Sequence, residues 1–113
     1  MSAKFPTQRV IDRLRAGGHH VDICERRITA RLTKDLHGFA DVHAFDELTT
    51  WLIQVTTRSN HAARRKKINA SAAAGVYATG PYRYVEVWSY SATGKLWRER
   101  YFGNEEWETI EKE

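Results

Sequence analysis

Cysteine is nearly absent from this sequence: Cys24 stands alone. That excludes an intrachain disulfide framework and any cysteine-rich zinc site. One thiol is compatible with a reducing compartment, and its place in an apolar-alternating run reads as a buried structural residue. An apolar h-region is lacking between Met1 and Ala16, so no secretory signal is expected. No apolar run approaches the length of a membrane helix, which points to the cytoplasm and to no membrane partner. Internal repeats and low-complexity segments are missing as well. A strong excess of one charge is also lacking. The 18 Lys and Arg face 14 Asp and Glu, for a net charge of +4 and a pI near 9.4, which favours polyanionic partners only mildly. The distribution is uneven, because five of the last ten residues are Glu and the remaining body is correspondingly more basic.

What is present fits one domain. The 113 residues are 42% hydrophobic and 28% charged, enough for a single modest core and too apolar for general disorder. Thr7 can cap a helix to about Ala16, with Val10, Ile11 and Leu14 as its apolar stripe and Gly17-Gly18 as its stop. Asp12 on this helix belongs to a solvated face or, less simply, faces a metal site. One or two strands follow between His19 and Leu32, with a bend near Glu25-Arg26-Arg27. His19 and His20 are neighbours on a strand and point to opposite faces, which suits a turn better than a ligand pair. A strand is expected around Phe39–Phe45, then a turn at Asp46-Glu47.

Thr50–Thr57 is the next strand, and its continuous Trp51-Leu52-Ile53 run implies burial on both faces. Ser59 or Asn60 can cap a basic, alanine-rich helix from His61 to Ala74, stopped by Gly75. Tyr82–Tyr90 and Lys95–Phe102 alternate as two strands around a hairpin turn at Ser91-Ala92-Thr93-Gly94. The tail from Asn104 reads as a short acidic helix capped by Asn104 and anchored by Trp107 and Ile110. The core spans about 7–102 and the acidic tail 104–113. This is an α/β reading, a mixed sheet flanked by helices in the order α-β-β-β-α-β-β with a short C-terminal helix.

The stretch from Lys34 to Lys67 carries the chemistry. Asp35 and Asp41 precede the buried strand with Gln54-Val55-Thr56, and the basic run Arg64-Arg65-Lys66-Lys67 follows. This order and these strand-end residues resemble the PD-(D/E)xK nuclease superfamily, in particular archaeal Holliday junction resolvases and small phage and bacterial relatives with a DLxGFxD…VQxT pattern. The resemblance covers about Thr7 to Phe102. It implies a restriction-endonuclease-like core and a Mg2+- or Mn2+-dependent DNA endonuclease, with branched DNA as a candidate substrate and DNA favoured over RNA.

Residue by residue, Asp41 matches the motif Asp, Gln54 stands where the Glu belongs, and Thr56 replaces the Lys. The resemblance thus implies Asp41, Gln54 and the Val55 carbonyl as metal ligands, and Asp41, Gln54, Thr56, Asp35 and His61 as the catalytic group. Gln54 offers a carbonyl oxygen without a charge, and Thr56 cannot supply a lysine's positive charge. Asp35 can return the missing carboxylate, and Lys34, Arg58 or Lys66 can take the lysine's place. His61 can act as a proton shuttle, as in the very-short-patch repair endonucleases, which also dispense with the lysine. Lys34, Arg58, Arg64, Arg65, Lys66 and Lys67 are the candidate phosphate contacts.

Plainer roles compete. Asp35 and Asp41 can cap turns, Thr56 and Thr57 are ordinary strand residues, and His37, His43 and His61 lack a zinc spacing. The basic run can be a solvated helix face. Tyr82, Tyr84, Trp88 and Tyr90 suit a core or a homodimer interface better than a stacking platform for bases. The alternative function is a catalytically inactive protein of this fold that binds nucleic acid or a protein partner.

Overall fold

The computed structural model describes residues 6–24, 26–27, 33–34 and 36–113; side chains are described for all of these except 26, 27, 33 and 34. Helix α1 (Pro6–Ala16) opens the chain. Proline suits a first helical position, because its missing N–H would have no intrahelical partner there. The expected stripe is the buried one, Val10, Ile11 and Leu14. Gly17 and Gly18 end the helix, and Gly18 takes the left-handed φ of 89° that a C-terminal stop requires.

Six strands form one mixed sheet in the order β1-β4-β5-β6-β7-β8, and two short strands pair outside it. These are β1 (His20–Ile23), β2 (Arg26–Arg27), β3 (Thr33–Lys34), β4 (Val42–Phe45), β5 (Thr50–Thr57), β6 (Arg83–Tyr90), β7 (Leu96–Tyr101) and β8 (Trp107–Lys112). All neighbours in the large sheet are antiparallel except β5 and β6, which run parallel from Thr50↔Arg83 to Thr57↔Tyr90. A parallel pair needs a crossover, and here it is helical. A 3-10 turn (Arg58–Asn60) leads into α2 (His61–Asn69) and α3 (Ala72–Ala78).

Alternation along β5 divides the core into two layers. Ile53 and Val55 pack with Val10, Ile11, Leu14, Trp88 and Leu96 under α1. Leu52 packs with Phe39, Ile68, Ala74, Val85, Val87 and Tyr101 on the α2–α3 side. Burying each large aliphatic side chain contributes about 1.5–3 kcal/mol, so both layers are needed to hold β5. On the α1 side the sheet also buries a charge. Glu86 is fully buried and its carboxylate accepts from Arg98 (2.9 Å), Arg100 (2.8 Å) and the Trp88 indole (2.7 Å). Both guanidinium groups lie against aromatic rings, Arg98 on Trp88 and Arg100 on Tyr84.

Several expectations are corrected. The tail is not a helix: 107–112 form β8, which pairs with β7. Its alternation of polar residues with Trp107 suits an edge strand, and the exposed Ile110 sits where a bulge shifts the register. The basic helix is two helices, broken at Ala70-Ser71, and the Ser71 hydroxyl caps α3 by accepting from Ala74 N–H at 3.1 Å. Gly75 therefore lies inside α3 and stops nothing. The strand expected from Phe39 begins only at Val42, because 36–40 close a turn with a Leu36↔Ala40 bridge. The first strand read after His19 is β1, Arg26 and Arg27 form β2 where a bend was expected, and 28–32 lie outside the described residues. Trp88 and Tyr90 are core residues, which leaves Tyr82 as the exposed tyrosine of the hairpin face proposed as a dimer surface.

Candidate functional site

The β4–β5 hairpin sets the register of the candidate site. Asp46 organises its turn: the carboxylate accepts from the N–H groups of Leu48 and Thr49 and from the Thr49 hydroxyl. These bonds, the Thr49 N–H first, hold the Asp46 carboxyl below the ordinary carboxylate range. The turn fixes Val42 opposite Ile53, so Asp41 falls opposite Gln54. The Asp41 N–H donates to the Ile53 carbonyl at 2.9 Å, extending the ladder by one residue. The preceding turn supplies the approach: His37 and Gly38 take positive φ (53° and 80°), and Phe39 is fully buried as its anchor.

The Asp41 carboxylate turns toward β5. Its Oδ2 accepts from the Val55 N–H at 2.9 Å and from Gln54 Nε2 at 2.6 Å. With Nε2 pointing at a carboxylate, the other end of the Gln54 amide is fixed as oxygen. That oxygen, Oε1, is buried and has no hydrogen-bond partner among the described residues. Gln54 is only 2% exposed. A buried acceptor without a partner costs about 1–3 kcal/mol, so its presence asks for an explanation. Thr56 lies two residues further on the same face, buried opposite Ser89.

A second polar constellation lies where β6 and β7 meet α2. His61 Nδ1 is 2.6 Å from Ser89 Oγ and its Nε2 is 2.8 Å from Glu99 Oε1. The imidazole stacks on Trp97, with ring centroids 3.7 Å apart. Arg65 continues the chain, 3.4 Å from the same Glu99 oxygen. Desolvation lowers the His61 pKa, and this outweighs the raising effect of Glu99. His61 is 1% exposed and Ser89 fully buried, so this relay meets no solvent-borne substrate directly.

Ser89 and Glu99 were missed as polar core residues. Their signal was present: each interrupts an apolar alternation, Val85-Val87-Ser89 on β6 and Trp97-Glu99-Tyr101 on β7.

The structure brings Asp41, Gln54 and Val55 together and holds Thr56 nearby. It places His61 at the start of α2, bound to Ser89 and Glu99. Asp35 and the Lys34 side chain lie outside the described residues. Among the candidate cations, Lys66 is exposed and Arg64 and Lys67 are half-buried. Arg65 is engaged with Glu99 and lies over Trp107. Arg58 donates to the Lys95 carbonyl at 3.1 Å and lies over Trp97. Asp12 accepts from Gln8 at 2.8 Å. Among the described residues, no three His, Cys, Asp or Glu side chains converge as a metal cage. Compared with protein-family models, curated proteins and solved structures, the chain finds no significant match.

Proposed function

We propose that this chain is a small metal-dependent endonuclease with a restriction-endonuclease-like core, hydrolysing phosphodiester bonds in DNA, with branched DNA as the first substrate to test. The observation that carries the reading is the buried Gln54 Oε1 beside Asp41, which has no hydrogen-bond partner among the described residues. The order α1, β1, β4, β5, α2, β6, with β5 parallel to β6, supports it. So does a basic helix that begins within four residues of the end of β5.

The residues present fit a hard divalent cation such as Mg2+ or Mn2+, which takes oxygen ligands. Asp41 supplies the charge and Gln54 Oε1 a neutral oxygen. The Val55 N–H faces Asp41, and strand geometry turns the carbonyl of the same residue to the same edge. When bound, the cation polarises a phosphoryl oxygen and acidifies its water. The chain's own contribution is placement: the ladder bond from Asp41 to Ile53 fixes the carboxylate, and the amide of Gln54 fixes its rotamer. Lys66, with Arg64 and Lys67, offers positive charge to the strand backbone. Thr56 is too buried and too short to do so.

A second reading rests on the same corner. Asp41 Oδ2 already accepts two hydrogen bonds, and a threonine stands where a lysine would serve the phosphate. Those features favour a protein of this fold that binds nucleic acid without cleaving it. Calorimetric titration with Mg2+ and Mn2+, run beside plasmid and branched-DNA cleavage, separates the two. The nuclease reading expects metal binding and nicking that both vanish in Asp41→Ala while DNA binding persists. Absence of cleavage and of metal binding in the wild type would leave only the binding module.

A further inference from the structure

We propose that the cleft between the first turns of α1 and the β6–β7 hairpin holds a phosphate group of a nucleic-acid strand. The cleft encloses about 670 Å3 and lies at the carboxyl ends of β5 and β6, the parallel pair of the sheet. Ligands of open α/β sheets favour that end of parallel strands. Its polar lining is Arg9, Thr57, Arg58, Ser59, Tyr90 and Ser91. Two arginines and four hydroxyl-bearing residues line one space, and among the described residues no carboxylate does.

Position supports the assignment. Arg58 opens the 3-10 turn directly after β5, and its Nε is buried with no hydrogen-bond partner among the described residues. Its Nη2 is anchored on the Lys95 carbonyl and its plane lies over Trp97, so the group is held before any ligand arrives. Arg9 lies over the Tyr90 ring, and a Cβ built at Gly94 would come within 3.0 Å of its Nη1. Gly94 takes a φ of 82°, so glycine both makes the hairpin turn and leaves room for Arg9. Preorganised arginines with hydroxyl donors are what a phosphate takes, bidentate where it can. Arg13, Glu111 and Glu113 also act on Tyr90, so the field is mixed away from the lining.

Thr57 lies three residues beyond Gln54, roughly 10 Å along the strand at the usual rise. A strand phosphate in the cleft is thus anchored near the Asp41–Gln54 corner and apart from it. The inference rests on the nucleic-acid part of the proposed function and not on cleavage.

The test is binding of a short fluorescent single-stranded oligonucleotide in EDTA, followed by anisotropy across a salt series, with inorganic phosphate as competitor. Arg9→Gln and Arg58→Gln should each weaken binding about tenfold and reduce the salt slope by about one. Because Arg58 also braces Trp97, a second variant keeps both charges: Ala92→Trp, at an exposed turn position lining the cleft, should fill it and weaken binding as much. Lys66→Gln should cost less than any of these. An Ala92→Trp protein that folds and binds as the wild type does overturns the cleft, as does a Lys66→Gln loss equal to the arginine losses. Inorganic phosphate binding as tightly as the strand overturns the nucleic-acid source. A wild type that binds the strand through the cleft but never cleaves it, with any metal, sinks the nuclease reading and leaves the cleft standing.

Discussion

Gln54 points its amide nitrogen at Asp41, 2.6 Å from Oδ2, and leaves its carbonyl oxygen buried with no partner among the described residues. A glutamate at this position would set two carboxylates against each other. Without a cation, repulsion raises the affinity of the pair for a proton. In EDTA at neutral pH, Gln54→Glu should therefore be less stable than the wild type by about 2 kcal/mol, and more stable again on acidification. Mn2+ should raise its midpoint of thermal unfolding more than it raises that of the wild type. A variant indifferent to Mn2+ would show that this corner does not hold metal.

The Ser89–His61–Glu99 chain makes a prediction about acid. Burial depresses the folded-state pKa of His61 below its ordinary 6.5. The unfolded chain then binds more protons than the folded one between the two values, so stability rises with pH across that window. Stability contributed by neutral His61 is complete above about pH 6.5 and is lost as pH drops toward the folded value. Glu99, which hydrogen-bonds the ring, softens the loss, while Arg65 and Arg58 deepen it. Urea titrations from pH 8 to pH 5 should show this slope in the wild type and a shallower one in His61→Gln. Equal slopes would mean another group governs the acid limb.

Glu86 is the buried anion between Arg98 and Arg100. Glu86→Gln removes the charge and leaves both guanidinium groups facing a neutral amide. Breaking a buried ion pair from one side costs 3–5 kcal/mol in general. Because the arginine side chains stay 13% and 20% exposed, about 3 kcal/mol is expected. Chemical denaturation measures it directly. A change under about 0.5 kcal/mol, the range of ordinary surface substitutions, would mean that solvent already screens the cluster.

Much of the fold was legible where one period dominates. The bounds of β5 follow from its β-branched and aromatic run, and the two faces of β6 and β7 from strict alternation. Asp41 and Gln54, singled out through the resemblance, do meet across the β4–β5 hairpin, whose marked turn allows little choice of register. Other parts were not legible because local signals mislead. The 104–113 stretch carries helix-forming glutamates, but β7 offers an unpaired edge, and the ladder outweighs propensity. The break at Ala70-Ser71 is silent in an alanine-rich run until the serine side chain caps. The His61–Ser89–Glu99 relay joins residues 28 and 38 apart, beyond any local pattern.

The tail itself is testable by contrast. Trp107 packs on Tyr101, with centroids 4.8 Å apart, and donates to Asn69 Oδ1 at 2.8 Å. Trp107→Ala should cost about 2 kcal/mol, less than a fully buried tryptophan because it is half-exposed. Ile110→Ala should cost less than this, since Ile110 is 36% exposed at the bulge. Equal costs, read from the same denaturation curves, would argue that 107–112 lie against the body as a helix would.

The strand that covers β7 has a consequence for how the molecule comes into being. The Glu113 N–H donates to the Leu96 carbonyl, and Leu96 N–H to the Glu113 side chain, so the last residues described close the sheet beside β7. During translation β7 leaves the ribosome before its outer partner exists, with Trp97 and Tyr101 along an open edge. Until β8 emerges, that edge is a template for any extended segment nearby, including the same strand of a neighbouring nascent chain on one polysome. Arg98 and Arg100 on β7, and then the acidic β8, make such a wrong pairing electrostatically poor. Glu108 and Glu111 of β8 stand opposite Arg100 and Arg98 of β7, so the complementary charge arrives with the strand that pairs there.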